Sequence, residues 1–192
     1  MTKPIFLVMG TPACGKSTIS RALASRFELG IHIPVDDVRH MVVGGISDMK
    51  FETRDAANAS DLQIRLARES ASEMARIYNT AGFAVAIDDF WFSDNPKSFM
   101  NLKFHGVPET HYQLGEYAHK ILLLPSLEIT LERLFKRNAP NDPFANFLED
   151  VIRWNYPLIK AHPKIGWQVI DSGNLSVSQT VNKILEMTTI KP

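Results

Sequence analysis

The sequence predicts a three-layer α/β fold in which about five parallel strands lie between helices on both faces. Two observations support this prediction. Short, continuously apolar runs recur along the chain, and such runs are typical of strands buried on both sides of a parallel sheet. Longer stretches between them have apolar residues at every third or fourth position, as on an amphipathic helix. This alternation indicates a sheet covered by helices, and because the 192 residues show no interdomain linker, we expect one domain over residues 1–192.

Five apolar runs are predicted to be the strands. They are Ile5–Met9, Ile31–Val35, Phe83–Ile87, Lys120–Leu124 and Trp167–Ile170. Acidic pairs follow two of these runs, Asp36 with Asp37 and Asp88 with Asp89. Ligands bind beyond the carboxyl ends of the strands in open α/β sheets, so we expect these acids to converge on one crevice.

The remaining periodic stretches are predicted to be helices. They cover residues 17–27, 55–81, 127–135 and 144–161, the last broken near Pro157, and a final helix begins after a capping box of Ser176 and Gln179. We expect Gly82 to end the second of these helices and a turn to lie at Gly44-Gly45.

Composition and charge limit the classes of function. Lys plus Arg and Asp plus Glu both number 21, so no net field draws the chain to nucleic acid or to an anionic membrane surface. The single cysteine, Cys14, cannot form an intrachain disulfide, which fits a reducing compartment. No stretch of about 18 apolar residues is present. We therefore expect a cytoplasmic protein that does not span a membrane.

The segment from Gly10 to Ser17 matches the phosphate-binding pattern G-x-x-x-x-G-K-[ST], directly after the first strand and before the first helix. The two glycines allow a tight loop whose amides face a polyphosphate, Lys16 supplies positive charge, and Ser17 offers a hydroxyl to Mg²⁺. No guanine-selective Asn-Lys-x-Asp run is present, so ATP is the expected nucleotide. The predicted nucleotide contacts are Gly10, Thr11, Pro12, Ala13, Cys14, Gly15, Lys16, Ser17 and Thr18. Asp88 is the acid predicted to complete the magnesium site with Ser17.

Together with Asp36-Asp37-Val38-Arg39 after the second strand, this motif resembles the P-loop kinases that include polynucleotide 5′-hydroxyl kinase, the zeta-toxin-like kinases and the chloramphenicol phosphotransferases. The resemblance implies a P-loop NTPase fold and ATP-dependent phosphoryl transfer. It also implies that Asp36 takes the proton of the acceptor hydroxyl and that Arg39 contacts the acceptor. From the residues alone, the choice among the four aspartates as base or metal ligand stays open.

These relatives close a small lid over the nucleotide, which implies a lid over about residues 136–146. Arg133 and Arg137 lie one helical turn apart beside it and would reach the transferring phosphate, although a solvated helix face with Glu132 and Lys136 is the alternative interpretation. In the same fold, Gly173 and Asn174 after the fifth strand would lie near the adenine.

The residues expected to bind the phosphate acceptor, Phe90–Phe92 and the stretch 100–112, match no known motif. Phe90, Trp91 and Phe92 could stack on a base or a sugar, but apolar residues next to a core strand are more often core. The stretch 100–112 is equally unassigned. Our first hypothesis is a kinase for a small molecule with a hydroxyl group. The alternatives are a nucleic-acid 5′-end kinase and a P-loop ATPase or nucleotide-binding switch that needs no small acceptor.

Overall fold

The computed structural model describes residues 3–47, 54–90, 112, 114, 118–139, 141–161 and 166–192. Within them, five strands form one parallel sheet in the order β2-β3-β1-β4-β5. The strands are β1 (Ile5–Gly10), β2 (Gly30–Pro34), β3 (Ala84–Phe90), β4 (Ala118–Leu123) and β5 (Trp167–Ile170). The helices are α1 (Lys16–Ala24), α2 (Val35–His40), α3 (Arg54–Thr80), α4 (Leu127–Arg137), α5 (Pro143–Ala161) and α6 (Val177–Thr188). The predicted three-layer α/β class is confirmed.

The pleat of the sheet divides the core into two layers, because successive side chains of a strand point to opposite faces. Even-numbered residues of β1, such as Phe6 and Val8, pack with Leu23 of α1 and Ile184 of α6. Odd-numbered residues face the other layer, which contains Leu7, Met9 and Ile87 from the strands, Ala67, Ala71 and Ala75 from α3, and Ile159 from α5. Alanines on α3 let that helix approach the sheet closely. The side chains of successive residues of β3 therefore point into different core layers.

Three local predictions need correction. Strand β3 continues through Phe90, so Asp88 and Asp89 lie within the strand instead of following it. Asp36 and Asp37 lie in the first turn of a short helix, α2, whose six residues are too few to show a helical period and whose N-terminus favours acids. Helix α5 continues through Pro157, since proline there removes one hydrogen bond without ending the helix.

Other local predictions are confirmed. Ser176 and Gln179 form the expected capping box at the start of α6, with both reciprocal hydrogen bonds present. Helix α3 ends at Thr80, and Gly82 follows with a left-handed φ of 92°. The chain bends at Gly44 and Gly45, and Gly45 has a φ of 73°. Within the described residues, every helix is too short or too polar for a membrane span.

Candidate active site

The loop between β1 and α1, here called the phosphate loop (residues 10–17), lies at the carboxyl end of β1 and is tightly packed. A Cβ at Gly10 would lie 2.5 Å from Cys14 Sγ and 2.6 Å from the Leu123 carbonyl oxygen, so only glycine fits there. Ala13 and Gly15 both have left-handed backbone angles, with φ of 62° and 101°. Cys14 is buried inside the loop, and this burial raises the pKa of its thiol. The side chain of Cys14 thus fills the space under the loop.

The loop ends at the N-terminus of α1, where Gly15 is the cap residue and no side chain bonds to the first amides of the helix. Uncapped amides at a helix N-terminus are donors that need an acceptor, and the helix dipole favours an anion there. Lys16 is half-buried at the same position, while Ser17 and Thr18 are exposed. The arrangement provides backbone donors and one cation for a polyphosphate.

Asp88 of β3 lies on the α1 face of the sheet and has two partners. Ser17 Oγ donates a hydrogen bond to Asp88 Oδ1 over 2.9 Å. His32 of β2, the neighbouring strand, contacts Asp88 Oδ2 through its Nε2 atom. Both oxygens of this buried carboxylate are therefore engaged, one on the phosphate-loop side and one on the β2 side.

Asp89, the next residue along β3, points to the opposite face and is enclosed there. Arg68 Nε of α3 donates to Asp89 Oδ2 over 2.6 Å, and the Tyr112 hydroxyl donates to the same oxygen over 2.8 Å. The backbone amide of Phe90 donates to Asp89 Oδ1 over 2.8 Å. Burial raises the pKa of the Tyr112 hydroxyl well above its usual range, and the charge of Asp89 adds to the effect. Both oxygens of Asp89 are thus engaged by its neighbours on the α3 face of the sheet.

Asp36 differs from both acids of β3. It is exposed at the start of α2, and within the described part of the chain no hydrogen bond or ion pair engages its carboxylate. Desolvation by the surrounding protein raises the pKa of Asp36. Lys16 acts in the opposite direction, Asp89 adds to the increase, and Arg39 again lowers the pKa. Because Asp36 as a whole residue is exposed, this desolvation comes from protein close to an accessible carboxyl group and not from burial in the core. An available carboxylate thus lies within the field of Lys16.

Arg39, on the last turn of α2, is buried. Its Nη1 atom donates to the Ser47 carbonyl over 3.2 Å, and Nη2 lies 3.4 Å from His40 Nε2. Its Nε atom has no hydrogen-bond partner among the described residues. Arg39 is therefore a buried cation close enough to Asp36 to lower the pKa of that carboxyl.

On the far side of the loop, Arg133 of α4 links two segments. Its guanidinium donates to the Cys14 carbonyl over 3.2 Å and to the carbonyls of Ser172 and Gly173 over 2.9 and 3.2 Å. Gly173 is closely surrounded, since a Cβ there would lie 2.7 Å from Ile129 Cδ1. Arg133 therefore brings the loop after β5 against the phosphate loop.

Arg137, one turn after Arg133, is exposed, as is Asn174. The side chain of Asn138 bonds back to the Leu134 carbonyl as α4 ends. In the predicted lid, residues 136–139 and 141–146 are described.

The aromatic residues predicted next to the acceptor are only partly described. Trp91, Phe92 and residues 100–111 lie outside the described part of the chain, whereas Phe90 is buried in the core.

Comparison with known proteins agrees with this geometry. The model of one protein family, described as AAA domain, matches residues 5–154, which span β1 through most of α5. The chain belongs to the AAA domain family. Comparison with curated proteins finds no match.

Solved structures similar to this AAA domain chain share its fold over nearly their whole length. A sugar kinase from Janibacter sp. HTCC2649 has a TM-score of 0.61 and 16% identity, covering 99% of this chain and 96% of its own. The thymidylate kinase of Candida albicans has a TM-score of 0.62 and 11% identity, covering 98% and 92%. The shikimate kinase of Bacteroides thetaiotaomicron has a TM-score of 0.60 and 14% identity, covering 97% and 99%. The predicted P-loop kinase fold is confirmed.

The residues of this AAA domain suit a magnesium nucleotide. Ser17 and Asp88 present two hard oxygen atoms beside the phosphate loop, and Mg²⁺ binds through one or two protein oxygens together with substrate phosphates. Among the described residues, no group of three or more His, Cys, Asp or Glu side chains could hold a metal by itself. The donor set therefore fits an ion that arrives with its nucleotide.

Sequence reasoning missed His32, Arg68 and Tyr112. His32 stands in a strand with no motif around it, and its contact with Asp88 joins residues 56 positions apart. Arg68 follows Ala67 on the apolar face of α3, and a charged residue on such a face was the available signal. Ser172 escaped attention because it contributes a backbone carbonyl and not a side chain.

Proposed function

We propose that this chain is an ATP-dependent kinase that transfers the γ-phosphoryl group to a hydroxyl of a small molecule. The observation that carries the proposal is the contrast among three acids. Asp88 and Asp89 have all their oxygens engaged, whereas Asp36 is exposed, has no partner among the described residues, and lies in the field of Lys16. A hydroxyl acceptor must lose a proton, and an available carboxylate is suited to take it.

In this proposal the backbone N–H groups of residues 10–18 other than Pro12, together with the side chain of Lys16, bind the triphosphate. Arg133 supports the loop through its hydrogen bond to the Cys14 carbonyl. The acceptor oxygen attacks the γ-phosphorus, its proton passes to Asp36, and the bond to the β-phosphate oxygen breaks to release ADP. Ser17 and Asp88 would hold Mg²⁺, which neutralises charge on the phosphates when bound. Arg39 is suited to contact the acceptor, and Arg137 would approach the phosphates when a lid over 136–146 closes.

The names of the structural neighbours support a small acceptor. Sugar kinase and shikimate kinase name small molecules as substrates, and thymidylate kinase names a nucleotide. A hydroxyl acceptor requires a base, whereas an ionised phosphate acceptor does not, so the exposed Asp36 favours the hydroxyl. Gly173 and Asn174 are proposed to lie near the adenine, because Arg133 brings that loop to the phosphate loop.

The proposal predicts how turnover depends on Asp36. Phosphate transfer from labelled ATP to a panel of hydroxyl compounds should be stimulated by one class of acceptor in the wild type. Asp36→Asn should lower kcat by about 10²- to 10⁴-fold while leaving ATP binding intact, because only the base is removed. Lys16→Ala should weaken both ATP binding and turnover. Asp37→Asn is the matched control, because Asp37 is also exposed on α2 but is not among the charges that shift Asp36.

The pH profile gives a second readout of the same experiment. Since the pKa of Asp36 is raised above its ordinary value, kcat/KM should fall as pH is lowered through that raised pKa, because protonation removes the base. Asp36→Asn should lack this acidic limb. Turnover that is unchanged in Asp36→Asn would contradict the proposal and favour an ATPase or nucleotide-binding switch.

A further inference from the structure

The histidine on β2 is unusual in its surroundings. His32 is half-buried on the α1 face of the sheet, and its neighbours along the strand, Ile31 and Ile33, are apolar. Its ring reaches across to β3, where it meets Asp88, two residues beyond its register partner Ala86. β2 is an edge strand of the sheet, yet the His32 side chain is mostly covered where it meets Asp88, so its Nε2 atom needs a hydrogen-bond partner there.

The contact orients the carboxylate of Asp88. An ionised carboxylate only accepts hydrogen bonds, so His32 Nε2 carries the proton and donates to Asp88 Oδ2. Ser17 Oγ donates to the other oxygen over 2.9 Å. With one oxygen bonded on each side, the carboxylate cannot rotate freely, and its Oδ1 atom stays next to the Ser17 hydroxyl.

We propose that His32 is a positioning residue for the magnesium ion: its hydrogen bond to Asp88 Oδ2 holds Asp88 Oδ1 beside Ser17 Oγ as the protein side of the metal site. The inference rests on the proposed function, since it takes Ser17 and Asp88 as magnesium ligands. Partners that bond to a metal ligand fix its orientation, and their loss typically lowers metal affinity by about 10- to 100-fold. Without His32, Asp88 Oδ2 would be buried without this partner, and the carboxylate would turn to find another.

The test measures metal binding separately from catalysis. The probe is Mn²⁺ in the presence of ADP, with bound Mn²⁺ followed by electron paramagnetic resonance and ADP affinity measured separately in EDTA. His32→Ala should lower Mn²⁺ affinity at least about tenfold while leaving metal-free ADP affinity unchanged. His32→Gln retains an N–H donor and should recover part of the loss. The unchanged ADP affinity also shows that the phosphate loop remains folded in each variant.

His119→Gln is the matched control. His119 is also a half-buried histidine of the same sheet, but it lies near the amino end of β4, where its ring packs against Phe6 and not against Asp88. Its replacement should leave Mn²⁺ affinity unchanged. A His32→Ala variant that binds Mn²⁺ as tightly as wild type overturns the inference and leaves the kinase proposal standing. A wild type that binds neither ADP nor Mn²⁺ overturns both.

Discussion

Gly10 and Gly44 differ in the space around their α-carbons, and the difference can be measured. A methyl group on Gly10 would meet the Leu123 carbonyl at 2.6 Å, and a backbone atom cannot move aside as a side chain can. A methyl group on Gly44 would meet nothing within 4 Å. The glycine of the phosphate loop is therefore required by packing as well as by the approach of a ligand.

We expect Gly10→Ala to destabilise the fold by about 1–3 kcal/mol, as overpacking usually does, and to weaken ADP binding at least about tenfold, because the loop must shift away from β4. Gly44→Ala should change neither quantity. Urea unfolding and calorimetric titration with ADP would check both variants. Equal behaviour of the two variants would show that the loop tolerates the shift.

The residues of the phosphate loop could be predicted because the pattern is contiguous and each position acts through its own backbone or side chain. The contacts of Asp88 could not be predicted, because Ser17 and His32 reach it from positions 71 and 56 residues away in the chain. Identifying aspartates as candidates required only local sequence. Assigning them different tasks required knowing which face of β3 each one occupies.

At the scale of elements, α3 is joined to β3 by a buried ion pair between Arg68 and Asp89. Both side chains are almost fully buried, and Tyr112 completes the cluster with its hydroxyl. The guanidinium also lies 5.8 Å from the centre of the Phe90 ring and 6.0 Å from that of Tyr112. Removing one member of such a pair leaves an uncompensated charge in the interior.

We expect Arg68→Met to lower the free energy of unfolding by about 3–5 kcal/mol, because the Asp89 carboxylate stays buried without its cation. The matched control is Arg65→Met on the same helix, which breaks an exposed pair with Glu69 and should cost about 1 kcal/mol or less. The double variant Arg68→Met/Asp89→Asn should be more stable than Arg68→Met alone, since the buried charge is gone. Urea unfolding measures all three. Similar losses for Arg68→Met and Arg65→Met would contradict this prediction.

Prediction succeeded for elements whose pattern is long enough to show a period. The five strands and the long helices lie within a few residues of their predicted bounds. The end of β3 was predicted too early. Acids are unfavourable in a buried strand unless partners from other elements bond to them. Ser17 and Arg68 are such partners, and both are distant in sequence from β3. Helix α2 was missed because it makes less than two turns.

For the whole molecule, the balance of 21 basic and 21 acidic residues predicts weak association with nucleic acid. Binding to a phosphate backbone comes mainly from the release of counterions by Lys and Arg, and a neutral chain has little net field to drive it.

We therefore expect a single-stranded oligonucleotide with a 5′-hydroxyl to bind more weakly than about 10⁻⁶ M at physiological salt. It should also accept phosphate less efficiently than the best small acceptor. Fluorescence anisotropy and transfer from labelled ATP would measure the two quantities, with the 5′-phosphorylated oligonucleotide as the control that cannot accept. An oligonucleotide with a higher kcat/KM than every small molecule would make the chain a 5′-end kinase.

At this scale the fold followed from sequence, since it depends on strand and helix patterns repeated throughout α/β proteins. The assignment of residues 10–18 to a nucleotide stays a prediction. The acceptor side did not follow, because acceptor recognition depends on side chains gathered from separate segments.

The alternation of side chains along β3 has an evolutionary consequence. Asp88 and Asp89 are chemically identical and adjacent, yet Asp88 bonds to Ser17 of α1 on one face of the sheet and Asp89 bonds to Arg68 of α3 on the other. A one-residue insertion or deletion earlier in this strand would exchange the two faces while leaving the composition almost unaltered. Descendants of this chain can therefore vary widely in their loops, but the length of the path from Ala84 to Phe90 should be among the slowest features to change.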